Sequence, residues 1–123
     1  MNFVEIEQTQ IVEDTIKSIF EGKVVTRTKN TIKIVYKNQN KLYSLIVEKI
    51  SDDKILLGTL SHLNELEINK ITSFRHEIEG YEINCQSRLI DFKFDDSLIE
   101  IRYDLILVDD ILSSNILRIR YKN

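Results

Sequence analysis

Leu98-Ile99-Glu100-Ile101-Arg102-Tyr103-Asp104-Leu105-Ile106-Leu107-Val108 is the stretch that decides the fold. Ile99, Ile101, Tyr103, Leu105 and Leu107 fall on one side of an extended chain, and Glu100, Arg102 and Asp104 on the other. Apolar residues at a period of two, over this length, describe a strand with one dry and one wet face. The C-terminal stretch repeats the pattern, with Asn115, Leu117, Ile119 and Tyr121 set against Arg118, Arg120 and Lys122. Between the two, Asp109-Asp110-Ile111-Leu112-Ser113 reads as a hairpin connection, because Asp and Ser bond readily to nearby backbone.

Working outward, Ile90, Phe92 and Phe94 alternate with Asp91, Lys93 and Asp95. Tyr81, Ile83 and Cys85 alternate with Glu82, Asn84 and Gln86, and Ile32, Ile34 and Tyr36 form a further dry face. Turns are expected at Lys29-Asn30, Asn38-Gln39-Asn40, Ser51-Asp52-Asp53, Glu79-Gly80 and Asp95-Asp96-Ser97. Residues 15–28 fit a helix by spacing, but Val24-Val25-Thr26 and the interior Gly22 favour a strand with a bend or bulge at the glycine. Residues 61–70 read as a short strand.

The missing residues agree with this. The 123-residue chain has no Ala, no Pro and no Trp, and loss of the best helix former lowers the expectation of helix throughout. Ile occurs 20 times, Lys 11 and Asn 9, about a third of the chain, so Ile enrichment can reflect base composition and spacing carries the strand assignment. The result is an all-β chain forming one domain, residues 1–123: an antiparallel meander of about 8–10 strands. A meander this long splits into two packed sheets or closes on itself, and the length favours a small up-and-down barrel.

Several function classes are disfavoured. The net charge of −3 gives no global basic field for nucleic acid or anionic lipid. No apolar run approaches the ~20 residues of a membrane span, and Met1-Asn2-Phe3-Val4-Glu5 lacks the features of a signal peptide. The single cysteine, Cys85, fits a reducing cytoplasm and reads as an inert core thiol. His62 and His76 have no Cys or His partner at ligand spacing, so no metal is expected. The pairs Asp52-Asp53, Asp95-Asp96 and Asp109-Asp110 coincide with turns, and adjacent strand residues point to opposite faces, so none reads as a carboxylate dyad. Arg118, Arg120 and Lys122, with Arg102 nearby, form the one basic stripe. Cross-strand pairing with Glu100 and Asp104 is its expected role, since no aromatic residues interleave it for base stacking. The protein therefore reads as a non-enzyme with no cofactor.

The polar residues on dry faces are the most informative set. Tyr36, Tyr103, Asn115 and Tyr121 each need a partner if buried. They either satisfy one another across the interior or orient a small, partly apolar ligand in the barrel. The other reading is a filled barrel acting as a structural or protein-interaction module.

Glu13-Asp14-Thr15-Ile16, Phe20-Glu21-Gly22 and Ile32-Lys33-Ile34-Val35-Tyr36-Lys37 stand in the first half. Gly80, Ile99-Glu100-Ile101-Arg102-Tyr103-Asp104-Leu105 and Ser114-Asn115-Ile116-Leu117-Arg118-Ile119 follow in the second. In that order, over nearly the whole chain, they resemble the YwiB-like family, uncharacterised bacterial proteins with a calycin-like (lipocalin-type) β-barrel. The resemblance implies such a barrel and no particular activity. Two family features differ here. Where the family shows Arg-x-Gly near the middle, this chain has Leu57-Gly58-Thr59-Leu60-Ser61, and where it shows an aromatic-x-Thr-Pro-aromatic-Gly turn, this chain reads Arg75-His76-Glu77-Ile78-Glu79-Gly80, so that only the glycine survives.

Overall fold

The structure, a computed structural model, describes residues 2–78, 81–107 and 110–122, without the side chains of 76–78, 81, 83 and 110. The expected turn at Glu79-Gly80, the side chain of His76 and both side chains of the Asp109-Asp110 pair lie outside the described residues. The described residues form ten strands and no helix: β1 (Phe3–Ile11), β2 (Thr15–Arg27), β3 (Thr31–Asn38), β4 (Lys41–Ser51), β5 (Lys54–Gly58), β6 (Leu63–Glu67), β7 (Ile71–Ile78), β8 (Tyr81–Phe94), β9 (Leu98–Leu107) and β10 (Asp110–Tyr121). One antiparallel sheet runs β6-β5-β4-β3-β2-β1-β10-β9-β8-β7. The meander thus curls into a nearly closed barrel, with β1 paired to β10 and the edge strands β6 and β7 facing each other.

Local chemistry explains the tight turns. Gln39 and Asn40 both take positive φ (52° and 65°), the two-residue turn whose twist matches a right-handed hairpin. Asp95 Oδ1 accepts hydrogen bonds from the backbone N–H of Ser97 (3.1 Å) and Leu98 (2.9 Å), closing the β8–β9 connection. By contrast, Ile111, Leu112 and Ser113, expected in a hairpin connection, belong to β10, with a bulge between Ile111 and Ser113.

Four bulges reset which side chains face inward. They fall between Val24 and Thr26, Lys49 and Ser51, Leu89 and Asp91, and Ile111 and Ser113. Each extra residue (Val25, Ile50, Ile90 and Leu112) is apolar and exposed. Ile90 therefore does not share the inner face of Phe92 and Phe94, as simple alternation predicts. The bulge changes parity between Leu89 and Phe92, and both of those reach the core. The bulge on β2 lies at Val25 and not at Gly22. It turns Arg27 to the lower end of the barrel, where its guanidinium sits 4.7 Å from the centre of the Phe94 ring and donates to Asp95 O at 3.0 Å. Gly22 serves close approach instead: a Cβ there would lie 2.5 Å from Ile34 Cγ2 and 3.1 Å from Ile6 Cδ1.

On β9, Ile99, Ile101 and Leu105 are buried and Tyr103 packs against them, as the alternation requires. Leu107 departs from it. It is 46 % exposed, because the strand has reached the upper rim by then. Asp104, on the expected wet face, is only 7 % exposed and pairs with Arg88 Nη2 at 3.3 Å.

The seam between β6 and β7 has no strand ladder. The Asn64 side chain takes its place, with Nδ2 donating to Arg75 O (3.0 Å) and Oδ1 accepting from Arg75 N–H (2.9 Å). A carboxamide carries the same donor and acceptor as a peptide group, so it can act as one residue of missing ladder. Thr72 Oγ1 donates to Glu65 O at 2.7 Å, and Ile68 bridges Leu89 in parallel. These contacts cover two sheet edges that would otherwise be open to other strands.

Outside, Arg118, Arg102 and Lys122 of the basic stripe are cross-linked to carboxylates. Arg118 Nε bonds Glu100 Oε2 at 2.7 Å and Nη1 bonds Glu7 Oε1 at 3.2 Å. Arg102 Nη2 lies 3.2 Å from Glu100 Oε1, and Lys17 lies 3.4 Å from Glu7. The Arg118 hydrogen bond, aided by Arg102, holds the Glu100 carboxyl below its usual range. A depressed folded pKa adds stability above the unfolded value, near 4.3 for Glu, that is lost as pH falls through the folded value. The urea midpoint should therefore hold from pH 7 to about 5 and drop below about 4. Glu100→Gln should flatten that acid limb, and an unchanged limb would mean the pair is inert.

Candidate functional site: a polar and aromatic cavity above the core

The inner faces change character along the barrel axis. The turns at 28–30, 52–53, 68–70 and 95–97 mark the lower end, and those at 12–14, 39–40 and 59–62 the upper. Near the lower end the inward residues are aliphatic and fully buried: Val4, Ile6, Ile32, Ile34, Val47, Ile55, Leu66, Ile99, Ile101 and Ile119. Toward the upper end most of these strands turn polar or aromatic, β5 and β9 keeping Leu57 and Leu105. β1 runs Val4, Ile6, Gln8, Gln10, and β10 runs upward from Ile119 and Leu117 to Asn115 and Ser113. β6 passes from Leu66 to Asn64, β8 from Leu89 to Ser87 and Cys85, and β3 from Ile34 to Tyr36. The lower half is a filled core. The upper half holds a cavity of about 390 Å³.

The walls follow from strand register. Gln10, Asn115 and Tyr103 are neighbours on β1, β10 and β9, and Tyr36 lies beside Tyr43 on β3 and β4. Tyr36 and Tyr43 stack with centroids 5.6 Å apart, and Phe20 adds to Tyr36 at 5.2 Å. Phe74 and Tyr103 stack at 5.9 Å. Burial raises the Tyr36 hydroxyl above its ordinary pKa, with Tyr43 adding to it. Burial, with Cys85 close by, pushes Tyr103 up to about 12, so both are neutral hydroxyls at any ordinary pH. Asn115 Nδ2 donates to Ser113 Oγ at 3.0 Å. At the mouth, His62 Nε2 lies 3.1 Å from Asn64 Oδ1, which ties the rim to the seam. A second, more open cleft of about 590 Å³ lies beside β7 and β8 and shares Asn64, Phe74 and Cys85 with the cavity.

Of the four residues singled out in the sequence, Tyr36, Tyr103 and Asn115 line this cavity. Tyr121 does not. It is paired with Val4 and packs against the filled lower core. Sequence reasoning passed over Gln8, Gln10, Tyr43, Phe74 and Asn64. The available signal was Gln8 and Gln10 continuing the inward parity of Val4 and Ile6, where a wholly filled barrel would carry aliphatic residues.

The described residues include no group of three His, Cys, Asp or Glu side chains placed to hold a metal ion. Cys85 is buried, and burial pushes its thiol pKa up. A thiol that resists ionisation attacks slowly. Ellman's reagent should therefore label Cys85 slowly in the native protein and quickly in denaturant, and fast native labelling would put the thiol on an open surface.

Against known proteins, no family model matches the chain, and no curated protein does. Solved structures do. The chain is similar in fold to the YwiB protein from Bacillus subtilis. That likeness has a TM-score of 0.61 at 11 % identity and covers 98 % of this chain and 91 % of YwiB. At that identity it shows the fold alone. A redesigned β-barrel also aligns, at a TM-score of 0.41 and 11 % identity over 97 % of this chain and 90 % of the design. Among the described residues no helix is long and apolar enough to cross a membrane.

Proposed function

We propose that the protein is a non-enzymatic binding barrel that holds one small, partly apolar ligand in its upper cavity. The observation that carries this reading is the shared gradient of the inner faces. Toward the upper end β1, β3, β4, β6, β8 and β10 each exchange an aliphatic inward residue for an aromatic or polar one, while β5 and β9 keep Leu57 and Leu105 there, and a cavity remains between them. Its volume, about 390 Å³, falls in the lower range of small-molecule sites, and such sites combine apolar walls with a few polar groups. In this reading the protein needs no metal or cofactor, works in the cytoplasm of a bacterium, and belongs with YwiB among calycin-type barrels.

Denaturing extraction of the purified protein followed by mass spectrometry tests it. A stoichiometric small molecule released from the native protein supports the reading. A clean protein with a defined oligomer mass supports the second reading, a protein-interaction module. The upper rim favours that alternative, since Val12, Ile16, Leu42, Leu60 and Ile111 are all exposed there, Leu60 at 75 %.

A further inference from the structure

The two aromatic pairs of the cavity face each other. In the ten-strand circle, three strands separate β3 from β9 on one side (β2, β1, β10) and three separate β4 from β8 on the other (β5, β6, β7). The Tyr36–Tyr43 stack therefore lies on the wall opposite Tyr103, whose ring is layered with Phe74. Ring faces on two opposite walls fit a flat ring, which gains by offset stacking or edge contact with either pair. Charge narrows the class. Among the described residues the cavity is lined by no carboxylate and no ammonium. Its one guanidinium, Arg75, already has Nη2 held by Glu82 Oε2 at 2.6 Å.

Hydrogen bonding narrows it further. Among the described residues the Tyr103 hydroxyl has no protein partner, although the ring packs against the core. Its register neighbour Asn115 commits Nδ2 to Ser113 Oγ, which leaves Oδ1 as an acceptor. On this wall Tyr103 and Asn115 thus offer a donor beside an acceptor, next to the Gln10 carboxamide on β1.

Resting on the cavity as a ligand site, we infer that its occupant is an uncharged, flat heterocycle whose edge carries an acceptor next to a donor, the pattern of a ring lactam. The acceptor takes the Tyr103 O–H, the donor bonds Asn115 Oδ1, and the ring lies between the two aromatic walls.

Four probes separate the classes by calorimetric titration of the full chain: 2-quinolone (a neutral lactam), naphthalene-2-carboxylate (a flat anion), choline (a cation) and decanoate (a chain). The chain has no Trp, and three of its five tyrosines line the cavity, so tyrosine fluorescence reports occupancy directly. The expected result is that 2-quinolone binds and perturbs tyrosine emission. Tyr103→Phe should weaken it roughly five- to tenfold, the worth of one hydrogen bond, while Tyr121→Phe leaves it unchanged. Binding of only the anion, the cation or the chain overturns the lactam class and leaves the ligand site standing. An undiminished affinity in Tyr103→Phe overturns the assigned donor. No binding by any probe, together with an empty extract, overturns both this inference and the ligand-binding reading.

Discussion

Asn64→Ala is expected to lower the unfolding free energy by about 2–4 kcal/mol, more than a surface polar residue normally would. Asn64 is 5 % exposed, and its carboxamide makes both hydrogen bonds to the Arg75 backbone, at 3.0 and 2.9 Å. Alanine removes both, at about 1 kcal/mol each, and leaves a backbone donor and acceptor to find water. The effect should be localised. Amides of β6 and β7 should exchange faster than those of β9 and β10, because the seam opens while the rest of the sheet keeps its ladders. Asn64→Asp keeps an acceptor for Arg75 N–H but loses the donor to Arg75 O. It should fall between the parent and the alanine variant, and improve as pH drops and the carboxyl protonates. Urea denaturation with hydrogen exchange checks this. A stable Asn64→Ala variant with unchanged β6 exchange would show that the seam does not depend on the side chain.

Tyr103→Ala should cost about 3 kcal/mol, the low end for deleting a packed aromatic ring. The ring stacks on Phe74 and packs against the core, but it also borders the open cavity, so part of the vacated space joins a region that water already reaches. Tyr103→Phe should stay within about 0.5 kcal/mol of the parent, since among the described residues the hydroxyl has no protein partner to leave unpaired. The two substitutions separate packing from recognition: alanine affects stability, and phenylalanine affects only what the cavity holds. A Tyr103→Ala variant as stable as the parent would place the ring outside the inner packing.

Much of the fold is legible along the chain because a strand displays its two faces at a period of two. The run at 98–107 identifies its inner face from Ile99 to Leu105, and the 115–121 run does the same. Turn chemistry is just as local, which is why the turns at 39–40 and 95–97 stand where Asn and Asp predict them. An all-β chain with short connections and no proline then has few topologies open to it besides a meander that closes.

Local pattern loses its hold where parity or register changes. A bulge adds one residue to one strand only, so Ile90 reads as a core residue from its neighbours and becomes exposed once Leu89 and Asp91 pair with adjacent residues of β9. Which end of the barrel stays open is likewise not a property of any one strand. Gln8, Asn115, Tyr36 and Tyr103 share a cavity because the offsets between β1, β10, β9 and β3 bring them to one height, while Tyr121, with the same alternation and the same chemistry, is carried to the filled end. Alternation along the chain identifies the dry side of a strand wherever no bulge interrupts it. The tertiary structure alone decided which dry-facing polar groups meet, because side-chain period is a local consequence of backbone geometry and register is a relation between strands distant along the chain.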